Sequence, residues 1–213
     1  MTDNPVLLRN LLAHKLIALE DAVFLWLDPP PLPADWDFGR VEGMLLGLAI
    51  GDALGNTSES QVPAARRQAY GEIRDYLPNH YATGRPVGLP SDDTQLAVWT
   101  LEQLLEDGRL DPDRLARKFS QNQIFGIGGT VKDFLRSYKG QRRSWIEASQ
   151  PSAGNGALMR IAPVLIPHLR QPGAALWADA ALAGMVTHND RASIACCEAF
   201  IHLLWECLRL KQA

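Results

Sequence analysis

The chain of 213 residues is long enough to bury a sizeable single core, and its 46% hydrophobic and 21% charged content is that of an ordinary globular protein. A formal net charge of −3 gives no electrostatic case for binding nucleic acid or an anionic membrane. Six Trp and four Tyr are dispersed rather than interleaved with basic runs, so no base-stacking platform is present.

Apolar residues at 8, 11, 12, 16, 19 and 23 recur at helical spacing and predict a first helix over 5–27. Arg9, His14, Lys15, Glu20 and Asp21 interrupt it, so it does not read as a membrane span. It also lacks the basic start and cleavage site of a secretory signal. Pro29-Pro30-Pro31 and Pro33 stop the helix and favour a stiff, extended spacer. Residues 1–38 therefore read as a helical extension with a proline-rich spacer, and 39–213 as the main domain. The extension either packs on its own core or docks on a partner through its apolar stripe.

The main domain reads as all-α. Leu greatly outnumbers Val and Ile, and no run alternates cleanly over six residues. Helices are expected at about 39–54, 63–77, 93–107, 112–121, 129–138, 156–168, 174–187 and 190–210. Cys196, Cys197 and Cys207 all fall in the last of these. Their odd count and the absence of C-x-x-C suggest reduced core thiols of a cytoplasmic protein, not disulfides or a zinc site.

Five constellations carry candidate chemistry. Gly43, Gly47 and Gly51 lie four apart on the first helix of the main domain, at about 1 kcal/mol each relative to Ala. That stripe implies close approach of another backbone or of a ligand; Asp52 and Glu59 bracket the helix end. Asp52 there either serves the site or bonds loop N–H groups. Next comes Ser91-Asp92-Asp93-Thr94, four hard oxygen donors within one helical turn. Such a cluster suits Mg²⁺, Mn²⁺ or Ca²⁺, and equally suits capping of a helix N-terminus. Gly126-Ile127-Gly128-Gly129-Thr130 is either a flexible turn or a backbone that admits a phosphate or ribose. Small residues from Ser152 through Gly154, Asn155 and Gly156 precede an apolar run that carries Arg160 one turn in. Finally His188 sits in Thr187-His188-Asn189-Asp190, between two predicted helices.

In order and spacing, G-x-x-x-G-x-x-x-G-D-A-L-G-x-x-x-E, S-D-D-T-Q, G-x-G-G-T, G-N-G-x-x-M-R-x-A-P and T-H resemble the ADP-ribosylglycohydrolase family, relatives of dinitrogenase reductase-activating glycohydrolase. The likeness runs from about Arg40 to Leu204. It implies a compact all-α orthogonal bundle and a cleft holding two Mg²⁺ or Mn²⁺ ions. The substrate implied is an ADP-ribosylated protein or another ADP-ribose conjugate. Carried over residue by residue, Ser91, Asp92 and Asp93 would bind metal, with Asp92, Asp93 and Glu59 catalytic. Gly126, Gly128, Gly129, Gly154, Asn155, Gly156, Arg160 and His188 would border the ADP-ribose. Cleavage at the anomeric carbon builds oxocarbenium character, for which a carboxylate base and a divalent cation are suited.

The family's second acidic motif, G-G-D-x-D-T/S, is missing from this sequence. After Asp190 only Glu198 and Glu206 are acidic. The family core is therefore expected to be incomplete at its C-terminus. An exposed apolar face there, or the N-terminal extension, would favour an oligomer or a protein partner. Beside the hydrolase stands a second reading, a catalytically lapsed ADP-ribose-binding or antitoxin-like partner-binding protein.

Overall fold

The computed structural model describes residues 3–210, so residues 211–213 of the expected main domain lie outside it. The protein is all-α: among the described residues there is no β-strand, only isolated bridges pairing Pro78 with Val87 and Gln150 with His188. No described helix is long and apolar enough to cross a membrane.

Helix α1 spans Asn4–Ala13 and is shorter than its periodicity predicts. The chain turns at Lys15, which takes φ +54°. The following backbone is held by tertiary bonds instead of helical ones. Asn189 accepts from the Ala18 N–H at 2.7 Å and donates to the Leu16 carbonyl at 2.8 Å. A short 3₁₀ turn, Val23–Trp26, follows. The Trp177 and Trp205 indoles donate to the carbonyls of Leu27 and Pro30, both at 2.8 Å. Leu8, Leu11, Ile17 and Leu25 are buried in the common core. Of the two placements open to the N-terminal helix, the one found is packing on its own chain. Asn4 anchors it, donating to the Leu110 carbonyl at 2.9 Å and to Asp179 at 2.6 Å.

Helix α2 (Gly39–Gly55) leads to a 3₁₀ turn, Asn56–Ser58, and to α3 (Pro63–Tyr70). The expected continuation of α3 to residue 77 is cut by Gly71, whose φ of +65° ends the helix. Helices α4 (Asp92–Asp107) and α5 (Pro112–Gln121) fall where the pattern puts them. Gly108 closes α4 in the left-handed conformation, and Asp111 caps α5 by accepting from the Asp113 and Arg114 N–H groups at 3.1 Å. Helix α6 (Gly129–Leu135) runs into a π-helical turn, Arg136–Gly140, followed by a one-turn helix α7 (Trp145–Ala148) that the periodicity did not reveal.

The predicted helix 156–168 is not α-helical. It consists of two 3₁₀ turns, Leu158–Arg160 and Ala162–His168. Pro163 and Pro167 lack the N–H groups an α-helix needs there. Helix α8 (Ala175–Met185) is buried from Leu176 to Met185 and forms the centre of the molecule. Helix α9 (Arg191–Arg209) packs along it. Of the three cysteines, only Cys197 is in the core; Cys196 and Cys207 are exposed.

The glycine stripe of α2 is not a close-packing face. A Cβ on Gly43, Gly47 or Gly51 would meet nothing within 4 Å. The helix buries Val41 and Ala53, while Leu46 and Ile50 beside the glycines stay exposed.

Candidate functional site

A cleft of about 480 Å³ opens where the end of α2, the start of α4, the loop before α6, the loop at 154–156 and His188 converge. Its construction begins with Asp52. Ser91 stands at the N-cap position of α4 yet makes no side-chain cap bond. Asp52 does the capping from α2. Its Oδ2 accepts from the Ser91 N–H at 2.7 Å and the Thr94 N–H at 3.1 Å. The hydroxyls of Ser91 and Thr94 donate to the same carboxylate at 2.7 and 2.6 Å. Burial would raise the Asp52 pKa, but these bonds outweigh it and hold the carboxyl below its usual range. Asn56 steadies the arrangement, donating to Asp52 at 3.2 Å and to the Leu89 carbonyl at 2.7 Å.

The Ser91 hydroxyl spends its proton on Asp52, so its lone pairs remain for the cleft. Asp92 is buried and accepts from the Gly128 N–H at 3.2 Å. Gly126 makes this approach possible: its φ is +78°, and a Cβ there would lie 3.1 Å from Asp92 Oδ1. Burial and the charges of Glu59 and Asp52 raise the Asp92 pKa. Burial, with the charges of Asp52, Asp92 and Glu59, pushes Asp93 up to about 6. Glu59 is exposed at the cleft rim.

Four carboxylates thus face a cleft lined by no Lys or Arg. Such uncompensated charge and hard oxygen chemistry fit a divalent cation in kind. In number they fall short: among the described residues no group of three or more His, Cys, Asp and Glu side chains is arranged to hold a metal ion.

Much of the remaining lining is built from small residues. Gly128, Gly129, Gly154, Asn155 and Gly156 line the cleft together with His188. The two loops are joined by Thr130 and Ser152, whose hydroxyls lie 2.9 Å apart. Ser193 donates to the Gly154 carbonyl at 3.2 Å and ties the second loop to α9. Because Leu158–Arg160 is a 3₁₀ turn, this loop does not open an α-helix as its sequence suggests. His188 packs against the loop: a Cβ on Gly156 would lie 2.8 Å from its Cε1.

Arg160 is the exception among the predicted site residues. Its side chain is fully buried and does not line the cleft. The guanidinium sits over the Phe119 ring at 4.8 Å and donates from Nη2 to the Ala183 carbonyl at 3.0 Å and to Thr187 Oγ1 at 2.8 Å. Leu158 and Met159 of the same 3₁₀ turn are only partly buried, so the turn carries the Arg160 side chain inward and leaves its neighbours nearer the surface. Sequence reasoning did not assign Asn56, Thr130 or Met159, which also line or brace the cleft. Asn56 directly follows the G-D-A-L-G stretch that made Asp52 visible.

A sequence model of the family described as ADP-ribosylglycohydrolase matches residues 34–213. An ADP-ribosylarginine hydrolase of Serratia proteamaculans is 33% identical over 191 residues, covering 81% of this chain and 49% of that protein. The ADP-ribosyl-[dinitrogen reductase] glycohydrolase of Rhodospirillum rubrum is 31% identical over 161 residues, covering 74% of this chain and 54% of that protein. The chain spans about half the length of the curated relatives it matches.

Proposed function

The chain belongs to the ADP-ribosylglycohydrolase family, and from that premise we propose that its cleft binds an ADP-ribose group joined to a protein side chain and hydrolyses the glycosidic bond. One observation carries this reading. Three carboxylates, Glu59, Asp92 and Asp93, line a single cleft together with a set of small residues and a histidine. The small residues leave backbone exposed to a polar ligand, and the carboxylates suit a reaction that builds positive charge at the anomeric carbon.

In this reading Glu59, at the rim, orients and deprotonates water. Ser91, Asp92 and Asp93 hold Mg²⁺ or Mn²⁺, and Asp52 fixes their helix turn. The cation, when bound, polarises ribose oxygens and activates water. The Serratia relative is an ADP-ribosylarginine hydrolase, which points to arginine as the acceptor of ADP-ribose. Asn155 and His188, which line the same cleft, supply polar contacts to the ligand.

The test is release of ADP-ribose from an ADP-ribosylated arginine peptide with Mg²⁺ or Mn²⁺ present, beside thermal-shift titration with ADP-ribose. Hydrolysis that fails in Glu59→Gln, with ligand binding weakened in Asn155→Ala, supports the proposal. A second reading is binding without turnover, favoured by the lack of a three-residue metal-holding group among the described residues. A thermal shift with no release of ADP-ribose selects it; no shift and no release reject both.

A further inference from the structure

His188 is reached from behind by a buried relay. Arg160 Nη2 donates to Thr187 Oγ1 at 2.8 Å, and Thr187 Oγ1 lies 2.8 Å from His188 Nδ1. All three residues are almost completely buried: Arg160 and Thr187 are 0% exposed and His188 1%. A threonine hydroxyl carries one proton. With Arg160 donating to its oxygen, the Thr187 proton has one remaining acceptor among its described partners, His188 Nδ1. The reverse arrangement, an Nδ1–H donating to Thr187, would leave the buried Thr187 proton without an acceptor, at a cost of about 1–3 kcal/mol. Nδ1 is therefore the acceptor, and the proton of the neutral ring is on Nε2.

The backbone holds the ring in place. The Thr187 carbonyl accepts from the Gln150 N–H at 3.2 Å, and the Asn189 N–H donates to the Gln150 carbonyl at 2.8 Å. The Nε2 edge turns toward the cleft loop, 3.6 Å from a Cβ position on Gly154 and 3.1 Å from one on Gly156.

Two charges near the ring act in opposite directions. Arg160 approaches from the 3₁₀ turn and Asp190 from the start of α9. Burial and the Arg160 charge lower the His188 pKa to about 4, against the smaller opposing effect of Asp190. Among the described residues the Arg160 Nε and Nη1 have no hydrogen-bond partner. An apolar residue of similar volume would fill that space at lower cost. The arginine instead spends its bonds on the Ala183 carbonyl and on Thr187.

We propose that Arg160 is a positioning residue: acting through Thr187, it locks His188 as the neutral tautomer whose Nε2–H faces the cleft and donates a hydrogen bond to a ribose or phosphate oxygen of the ligand. This rests on the reading of the cleft as an ADP-ribose site. It assigns His188 to hydrogen-bond donation, not proton transfer, and moves Arg160 from ligand contact to support of the residue that makes it.

The experiment is heteronuclear NMR of the histidine ring nitrogens in ¹⁵N-labelled protein without ligand, from about pH 5 to about pH 8. His188 is assigned by its loss in His188→Gln. The expected result is a single Nε2–H tautomer across that range. Thr187→Val should produce mixed tautomers and weaken ADP-ribose binding roughly tenfold, the loss of one well-placed hydrogen bond. Thr187→Ser should restore both. Arg160→Met should raise the His188 pKa; should that variant not fold, the Thr187 pair decides. A wild-type Nδ1–H tautomer, a charged ring at about pH 7, or a Thr187→Val spectrum like wild type overturns the relay. If the tautomer is as expected and wild type binds no ADP-ribose, the lock stands and the ligand assignment falls with the proposed function.

Discussion

Asp52 accepts both the hydroxyl of Thr94 at 2.6 Å and its backbone N–H at 3.1 Å, so the last turn of α2 caps the first turn of α4 across 42 residues of sequence. An asparagine at 52 would turn an NH₂ toward donors that need an acceptor. Asp52→Asn should therefore cost about 2–4 kcal/mol in urea unfolding. Amide exchange should quicken at Ser91 and Thr94 before the rest of α4. Because the folded-state pKa is lowered, this contribution is present at neutral pH and is lost as pH falls through that pKa. A loss below about 0.5 kcal/mol would show that the cap is marginal.

Gly156 and Gly154 make a paired test of the small-residue wall. A Cβ at 156 would sit 2.8 Å from His188 Cε1, whereas one at 154 meets the Ser152 hydroxyl at 3.4 Å and His188 Nε2 at 3.6 Å. Gly156→Ala should displace the imidazole and reduce ADP-ribose affinity by at least about tenfold, with stability lowered by about 1–3 kcal/mol. Gly154→Ala should bind within about threefold of wild type, since its contacts are ordinary packing distances. Calorimetric titration of both variants decides; equal affinities would remove His188 from the ligand-binding wall.

The sequence was most legible where local chemistry and tertiary packing agree. Helix α5 carries its own stop and start signals, with Asp111 and Pro112 at one end, and forms over the expected residues. The all-α class and the convergence of the acidic and small-residue motifs also followed from pattern and resemblance. Residues 14–27 kept a helical period but form no α-helix: Asn189 bonds the backbone of Leu16 and Ala18, partners that no local pattern discloses. The apolar run over 156–168 predicts a helix, but Pro163 and Pro167 fall inside it and leave two 3₁₀ turns. Arg160 stands inside a motif associated with the ligand, yet its side chain turns inward, and spacing along a chain does not report that choice.

Asp93 should make cation binding depend on pH. Its carboxyl is pushed up to about 6, by burial first and then by Asp52, Asp92 and Glu59. Below that pH a metal must displace the proton. Mn²⁺ affinity measured calorimetrically should fall by about tenfold or more between about pH 7.5 and pH 5, and Asp92→Asn/Asp93→Asn should abolish it. The folding consequence has the opposite sense to a salt-bridged acid. The ionised form is disfavoured in the fold, so stability without metal declines as pH rises from the ordinary Asp range through about 6. Asp93→Asn alone should then raise the Tm of the metal-free protein by about 2–4 °C at pH 8 and leave it unchanged near pH 4. An identical shift at both pH values would place the effect in packing, not charge.

Glu198 should be the clearest case of a stabilising substitution. It is 3% exposed on α9, and among the described residues neither carboxyl oxygen has a hydrogen-bond partner. The Ala181 backbone on α8 favours the ionised form, but less than burial disfavours it. Burial raises its pKa well above 4.5, so the fold keeps the group protonated where the unfolded chain would ionise it. The resulting cost is absent below the unfolded pKa and grows as pH rises toward the folded one. Glu198→Met keeps the volume and removes the titration. It should stabilise the protein by about 1–3 kcal/mol at pH 7–8, with the gain shrinking toward pH 4. Glu198→Gln, which leaves an amide just as poorly partnered, should gain less. Denaturant midpoints across the pH range make the comparison. A Met variant that is less stable than wild type at pH 8 would show that the carboxyl finds a partner in solution, and a gain independent of pH would trace the effect to packing alone.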